Sequence, residues 1–192
     1  MGDNGLKLAY AMCGSFCTHK NALEALRILA KDNEIVPAVS EITAVSDTRF
    51  GTASSLISEL KSITGSDPIR TIPRAEEVIT RGNFDAVIVS PCTGNTLAKI
   101  ASGITDSTVT MCVKAQLRSK RKVLIALATN DGLSGNLFNI AMTLERKNIY
   151  FVPFGQDAPT EKPSSLICDF NLLPMALGSA LAGVQLQPIL TT

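Results

Sequence analysis

Short, β-rich apolar runs recur along this chain with amphipathic stretches between them, and this alternation constrains the fold more than any other feature: it is the pattern of βαβ units around a parallel sheet. The runs cover residues 6–12, 35–39, 86–90, 123–127 and 149–152. Residues 86–89 and 123–127 are apolar at every position, as central strands covered by helices on both faces must be. The expected fold class is therefore α/β, a three-layer α-β-α sandwich with a Rossmann-like (flavodoxin-like) parallel sheet. A chain of 192 residues supports one continuous core and would be cramped as two, so residues 1–192 are read as a single domain.

Between the strands the apolar spacing is that of helices. Leu23, Leu26 and Ala30 share one face of the first, and Leu137, Ile140, Ala141 and Leu144 share one face of a later one, so both sets are assigned to the core. Residues 40–73 read as a loop, a helix over 52–64 and a turn at 65–68. The Pro- and Gly-containing stretch 153–163 is expected to cross the surface before a C-terminal helical segment of about 20 residues.

Charge removes several function classes. Lys plus Arg total 18 and Asp plus Glu 17, a formal net charge of +1, which argues against a nucleic-acid partner. The cluster Arg118, Lys120, Arg121 and Lys122 reads as a solvated helix end. Five cysteines, an odd number, follow no charged-then-apolar leader, so reduced thiols and a cytoplasmic location are expected. No apolar run approaches the ~20 residues of a membrane span. With only 18% charged residues, the chain is expected to bury subunit contacts as a homo-oligomer.

Ligands of an open parallel sheet bind beyond the carboxyl ends of its strands. The segments there are small and polar: "CGSFCT" at 13–18, "SEIT" at 40–43, "PCTGNT" at 91–96 and "ATNDG" at 128–132. Gly14 and Ser15 could offer backbone amides and a hydroxyl to a phosphate where a helix starts, although the same residues would serve as a plain capping turn. G-x-G-x-x-G is missing, so Glu41, placed where a ribose-holding acid would stand, does not make a dinucleotide site. His19, the only histidine, could move a proton, but a lone histidine reads more readily as a solvated or capping residue. Cys13 and Cys17 lack the spacing of a dithiol pair or a zinc cluster, so no metal site is assigned.

The stretch "SPCTGNTLAKIASGITDS" resembles the Pro-Ala-Ser-Ala-Asn-Thr loop and following helix of the flavoprotein family that includes flavin-dependent cysteine decarboxylases. "GSFCTH", "DTRFG", "TVTMCVKA", "ATNDGLSGN", "KNIYFVPFGQDAPTEKPSS" and "QLQPIL" extend the resemblance over nearly the whole chain, and place it in the branch formed by the B subunits of dipicolinate synthases. The resemblance implies an oxidoreductase subunit. It would oxidise a dihydrodipicolinate-type intermediate together with an A subunit that binds NAD(P), in the mother cell of a sporulating bacterium. It implies FMN, or a phosphate in its place, on Gly14, Ser15 and Ser40 at the phosphate, with Ser90, Thr93, Asn95 and Thr96 near ribityl and ring, followed by Lys114 and Ala115.

Two departures from the decarboxylases stand out: the catalytic histidine of their other loop is missing, and Ala128-Thr129-Asn130-Asp131 replaces a Met-rich substrate clamp. Cysteine decarboxylation is not expected, and no general base is assigned. The alternative is a non-catalytic assembly subunit with a vestigial flavin or phosphate site; a free-standing flavin prenyl- or decarboxylase-type enzyme is the third and weakest reading.

Overall fold

A computed structural model describes residues 5–191; what the sequence implied about residues 1–4 and 192, both the missing leader and the outer limits of the domain, lies outside the described residues. The strands are β1 (Lys7–Met12), β2 (Glu34–Val39), β3 (Ala86–Cys92), β4 (Lys122–Thr129), β5 (Ile149–Phe151), β6 (Phe154–Gly155) and β7 (Leu166–Cys168). The helices are α1 (His19–Leu29), α2 (Glu41–Val45), α3 (Ala53–Thr64), α4 (Ile72–Arg81), α5 (Gly94–Ser102), α6 (Thr108–Arg118), α7 (Leu137–Leu144) and α8 (Leu173–Leu181). α1 and α8 cover one face of the sheet, and α4, α5, α6 and α7 form the layer on the other.

The parallel part of the sheet runs β2-β1-β3-β4-β5, the flavodoxin-like order. The chain goes outward from β1 to β2 and then returns to place β3 on the other flank of β1. Because parallel crossovers keep one hand, the connections leave β1 and β3 on opposite faces, and a crevice opens beyond their carboxyl ends. Every residue of β3 is buried, as are residues 123–128 of β4. Between Val89 and Cys92 the ladder with β4 shifts register, at the position where Pro91 has no N–H to give.

Several expectations are corrected. The sheet is mixed, because β7 pairs antiparallel with Ala128 and Thr129 at the end of β4, and β6 pairs antiparallel with β7. These strands are three and two residues long, too short for alternation to show in the sequence. The C-terminal helix is nine residues, not about 20. Leu166–Cys168 is drawn into the sheet, Asp169 caps a single 3-10 turn by accepting from the Asn171 amide, and Gly183, at φ 82°, ends the helix in a left-handed conformation. On α7 only Ile140 of the assigned core face is buried, with Thr143 beside it; Leu137, Ala141 and Leu144 are exposed.

The other helices follow their caps. Thr52, Thr93 and Ser107 each accept the backbone N–H three residues on, starting α3, α5 and α6, and Gly65 and Gly103 end α3 and α5 at positive φ. Residues 41–45, read as loop, form α2, capped by Ser40. Among the described residues no helix is long and apolar enough to cross a membrane.

Candidate functional site

Beyond the ends of β1, β3 and β4 lies a cavity of about 820 Å³, lined by four segments together with Phe50. Gly14 and Ser15 follow β1, and Thr93, Gly94 and Asn95 open α5. Residues 128–131 end β4, and Asp157 with residues 162–167 closes the far side. The amides of Gly14 and Ser15 meet no acceptor among the described residues. The first two amides of α5, on Gly94 and Asn95, are also open, since only the third, on Thr96, is taken by the Thr93 hydroxyl at 3.1 Å. Unpaired amides at a helix start and on a strand-end loop make a concave, positive surface suited to an anion.

Beneath the cavity the polar groups satisfy one another. The Tyr10 hydroxyl is fully buried, donating to Ala22 O at 2.7 Å and meeting Ser90 Oγ at 2.7 Å. Burial pushes the Tyr10 phenol well above its usual range. Cys13 and Cys92 are also buried. The Cys92 thiol first, then the Thr96 hydroxyl and the Thr93 amide and hydroxyl, stabilise a negative Cys13 sulfur and bring it down to about 7 against the opposing effect of burial. Cys92 moves the other way, pushed up by burial and by its sharing with Cys13, so the pair shares a single proton more readily than it loses two.

The β4 end adds a fixed carboxylate. Asp131 Oδ1 accepts from Thr129 Oγ1 and from Asn136 Nδ2 at 2.9 Å, and Oδ2 accepts from Asn136 Nδ2 at 2.8 Å. This cluster presses against the start of α5. A Cβ on Gly94 would stand 2.5 Å from Thr129 Oγ1 and 2.8 Å from Asp131 Oδ1, so only glycine fits there. Across the cavity, Lys162 Nζ pairs with Asp157 Oδ2 at 3.2 Å. The Ser165 hydroxyl, and then Lys162, hold the Asp157 carboxyl below its usual range.

The residues singled out in the sequence divide into three groups. Gly14, Ser15, Thr93 and Asn95 line the cavity together. Ser40, Ser90 and Thr96 are buried behind it: Ser40 Oγ lies 2.8 Å from Thr43 Oγ1, Ser90 meets Tyr10, and Thr96 Oγ1 accepts from Thr93 Oγ1 at 3.0 Å. Lys114 and Ala115 lie within α6, the first exposed and the second buried, and do not line the cavity. Glu41 is committed elsewhere, its Oε1 accepting from Thr108 N at 2.9 Å and Thr108 Oγ1 at 2.7 Å to cap α6. His19 is half-buried with Nε2 2.9 Å from Cys13 O, and burial lowers its pKa. It faces a second cavity of about 540 Å³, which shares Phe16, Cys17 and Phe50 with the first.

The sequence reading did not single out Asp131, Asn136, Asp157 or Lys162 as site residues. Asp131 stood in a quoted loop, but its partners are in α7's first turn and in β4. Asp157 and Lys162 belong to the stretch read as a surface crossing, and their one signal was an opposite-charge pair between prolines. All five cysteines are free, and no group of three or more metal-ligating side chains occurs among the described residues.

Comparison with known proteins places this arrangement. A family model described as Flavoprotein matches residues 4–171. The chain is 35% identical over 187 residues to the B subunit of dipicolinate synthase of Bacillus subtilis (strain 168), covering 97% of this chain and 94% of that one. It superposes with a TM-score of 0.90 on the crystal structure of the dipicolinate synthase B subunit from Bacillus halodurans C, at 36% identity and covering 100% and 99% of the two chains. Burkholderia xenovorans DmrB, solved in complex with FMN as a cubic protein cage for redox transfer, shares the fold at 16% identity and a TM-score of 0.68, with 94% and 96% covered.

Proposed function

The chain belongs to the flavoprotein family, and from that premise we propose that its strand-end cavity binds FMN and that it serves, as one flavoprotein-like domain, as the B subunit of a dipicolinate-forming oxidoreductase. The observation that carries this reading is the set of open amides on Gly14, Ser15, Gly94 and Asn95 around one cavity at the β1/β3 switch point. The residues fit the group: unpaired donors suit a phosphate, the volume suits a cofactor, and Phe16 and Phe50 supply apolar surface at the margin.

Bound there, a flavin would supply a two-electron acceptor or relay. The chain's own residues do the rest. Gly14 and Ser15 hold the phosphate, and the Asn95 amide side chain, exposed at the start of α5, offers a donor and an acceptor to ribityl or ring. Ser40, Ser90 and Thr96 fix the turns that present those groups, while Lys114 and Ala115 contribute only through α6. The wall at 157–167 limits water over the reacting ring. The reaction removes a hydride and a proton from a partly reduced pyridine ring carrying carboxylates. A nicotinamide held by an A subunit accepts the electrons in the end, in the cytoplasm of a sporulating mother cell, with this chain in a homo-oligomer.

The test is the visible spectrum of freshly purified protein and its change on adding FMN. Flavin bands that shift on binding are expected, and the shift should need more FMN in Ser15→Ala/Asn95→Ala, which keeps the open amides and removes only the side chains' hydrogen bonds. No bands and no shift would remove the cofactor from the reading and leave the assembly-subunit role; unchanged dipicolinate formation by the A–B pair carrying that double variant would remove the catalytic one.

A further inference from the structure

The same cavity carries a second pattern, independent of the amides that face a phosphate: one anchored carboxylate and one loosely held ammonium on separate walls. Asp131 is fixed by Thr129 and Asn136, which use three of the roughly four lone-pair positions a carboxylate offers. One acceptor position is left on the carboxylate, and Asp131 is only partly buried where it lines the cavity. Among the described residues Lys162 is the only Lys or Arg lining the cavity, and its side chain is 57% exposed. Its pairing with Asp157 uses one of three N–H donors, and an exposed pair of this kind holds so weakly that a ligand carboxylate can recruit the ammonium at little cost.

Resting on the flavoprotein reading above, we propose that Asp131 and Lys162 select the substrate as a cyclic amino or imino acid, Asp131 taking the ring N–H and Lys162 a ring carboxylate. A saturated ring nitrogen, protonated near neutral pH, or a ring imine once protonated, carries an N–H that it donates to the Asp131 carboxylate. An aromatic pyridine nitrogen carries a lone pair there instead and faces the carboxylate unfavourably. The two walls therefore favour the reduced ring over its oxidised product, and oxidation itself weakens the hold on the ligand. Uniform binding of both forms would slow release without speeding the reaction.

The experiment titrates the full-length protein by calorimetry with three ring dicarboxylates: piperidine-2,6-dicarboxylate, tetrahydropyran-2,6-dicarboxylate, which has no ring N–H, and pyridine-2,6-dicarboxylate. Wild type is expected to bind the piperidine compound at least about tenfold more tightly than the other two, the scale of one charge-assisted hydrogen bond. Lys162→Met, on an exposed loop, should weaken all three by about tenfold and keep their order. Asp131→Asn should bring the three within about threefold of one another, since an amide can donate to a pyridine nitrogen. Equal wild-type affinities, no detectable binding of any compound, or no effect of Lys162→Met would overturn the proposal. Should Asp131→Asn not fold, the piperidine/tetrahydropyran ratio in wild type decides alone. FMN titrated in parallel keeps the two readings apart: ring selectivity without a flavin spectral shift sinks the cofactor and spares this inference, and a flavin shift without ring selectivity does the reverse.

Discussion

The floor of the strand-end cavity is made of groups whose hydrogen bonds go to one another inside the protein, whereas its rim at 156–165 is largely exposed and is tied by the Asp157–Lys162 pair and a bond from Gln156 to Pro163 O at 2.8 Å. On the floor, removing one atom strands a partner with no water to replace it. On the rim, water substitutes at once. The same cavity thus joins a part that cannot change without loss of stability to a part free to vary with the ligand, which is how rigid scaffolds carry adaptable loops.

Substitutions can break that comparison or sharpen it. The largest effect is expected at Gly94→Val, where a branched side chain must displace Asn136, Thr129 and Asp131 together; a loss of about 3 kcal/mol by urea unfolding is the expected result, and a loss below about 1 would mean the α5–Asp131 contact is looser than the geometry says. Tyr10→Phe removes a second hydrogen bond from Ala22 O and leaves Ser90 Oγ without a partner in a fully buried site, so about 2 kcal/mol should disappear in the same assay. A neutral result would remove the distinction between floor and rim.

His19 tests the boundary between the two. Its folded pKa lies below the ordinary value of 6.5, so the unfolded chain takes the proton first. The stabilisation from its neutral form is complete above 6.5 and is lost as pH falls below it toward the folded value. Wild type should therefore lose more stability than His19→Gln over that acidic range, and parallel curves would show that burial does not act on this ring. The smallest effect belongs to the rim: Asp157→Asn should change stability by under about 0.5 kcal/mol, measured as thermal unfolding in low and high salt.

The elements whose signal is local were legible in the sequence. β3 and β4 are apolar at every central position because helices cover both faces, and the helix read over 52–64 is α3 to within one residue. What stayed hidden depends on long-range pairing. β6 and β7 exist because the end of β4 had an open edge, which no property of Leu166–Cys168 announces. α7 shows the opposite failure, a strong helical period whose apolar face meets solvent in this chain. That Gly14, Ser15, Thr93 and Asn95 line one cavity was readable because strand-end loops precede helices, but Asp131 and Lys162 reach it only through the β4–β7 ladder. Glu41, which the sequence left without a dinucleotide role, bonds to the start of α6, a partner that its proximity in sequence to the β2 end does not announce.

The tail after α8 returns to the sheet: Phe154 N donates to Ile189 O at 2.9 Å, Thr191 N donates to Phe154 O at 3.0 Å, and Gln185 grips the Phe151 main chain in both directions. Residues 185–191 thus fasten the β6–β7 hairpin from outside. During synthesis the cavity-lining loops at 13–15 and 93–95 leave the ribosome long before this fastening does, so a nascent chain holds one part of the cavity's walls and waits on residues 185–191 to secure the other.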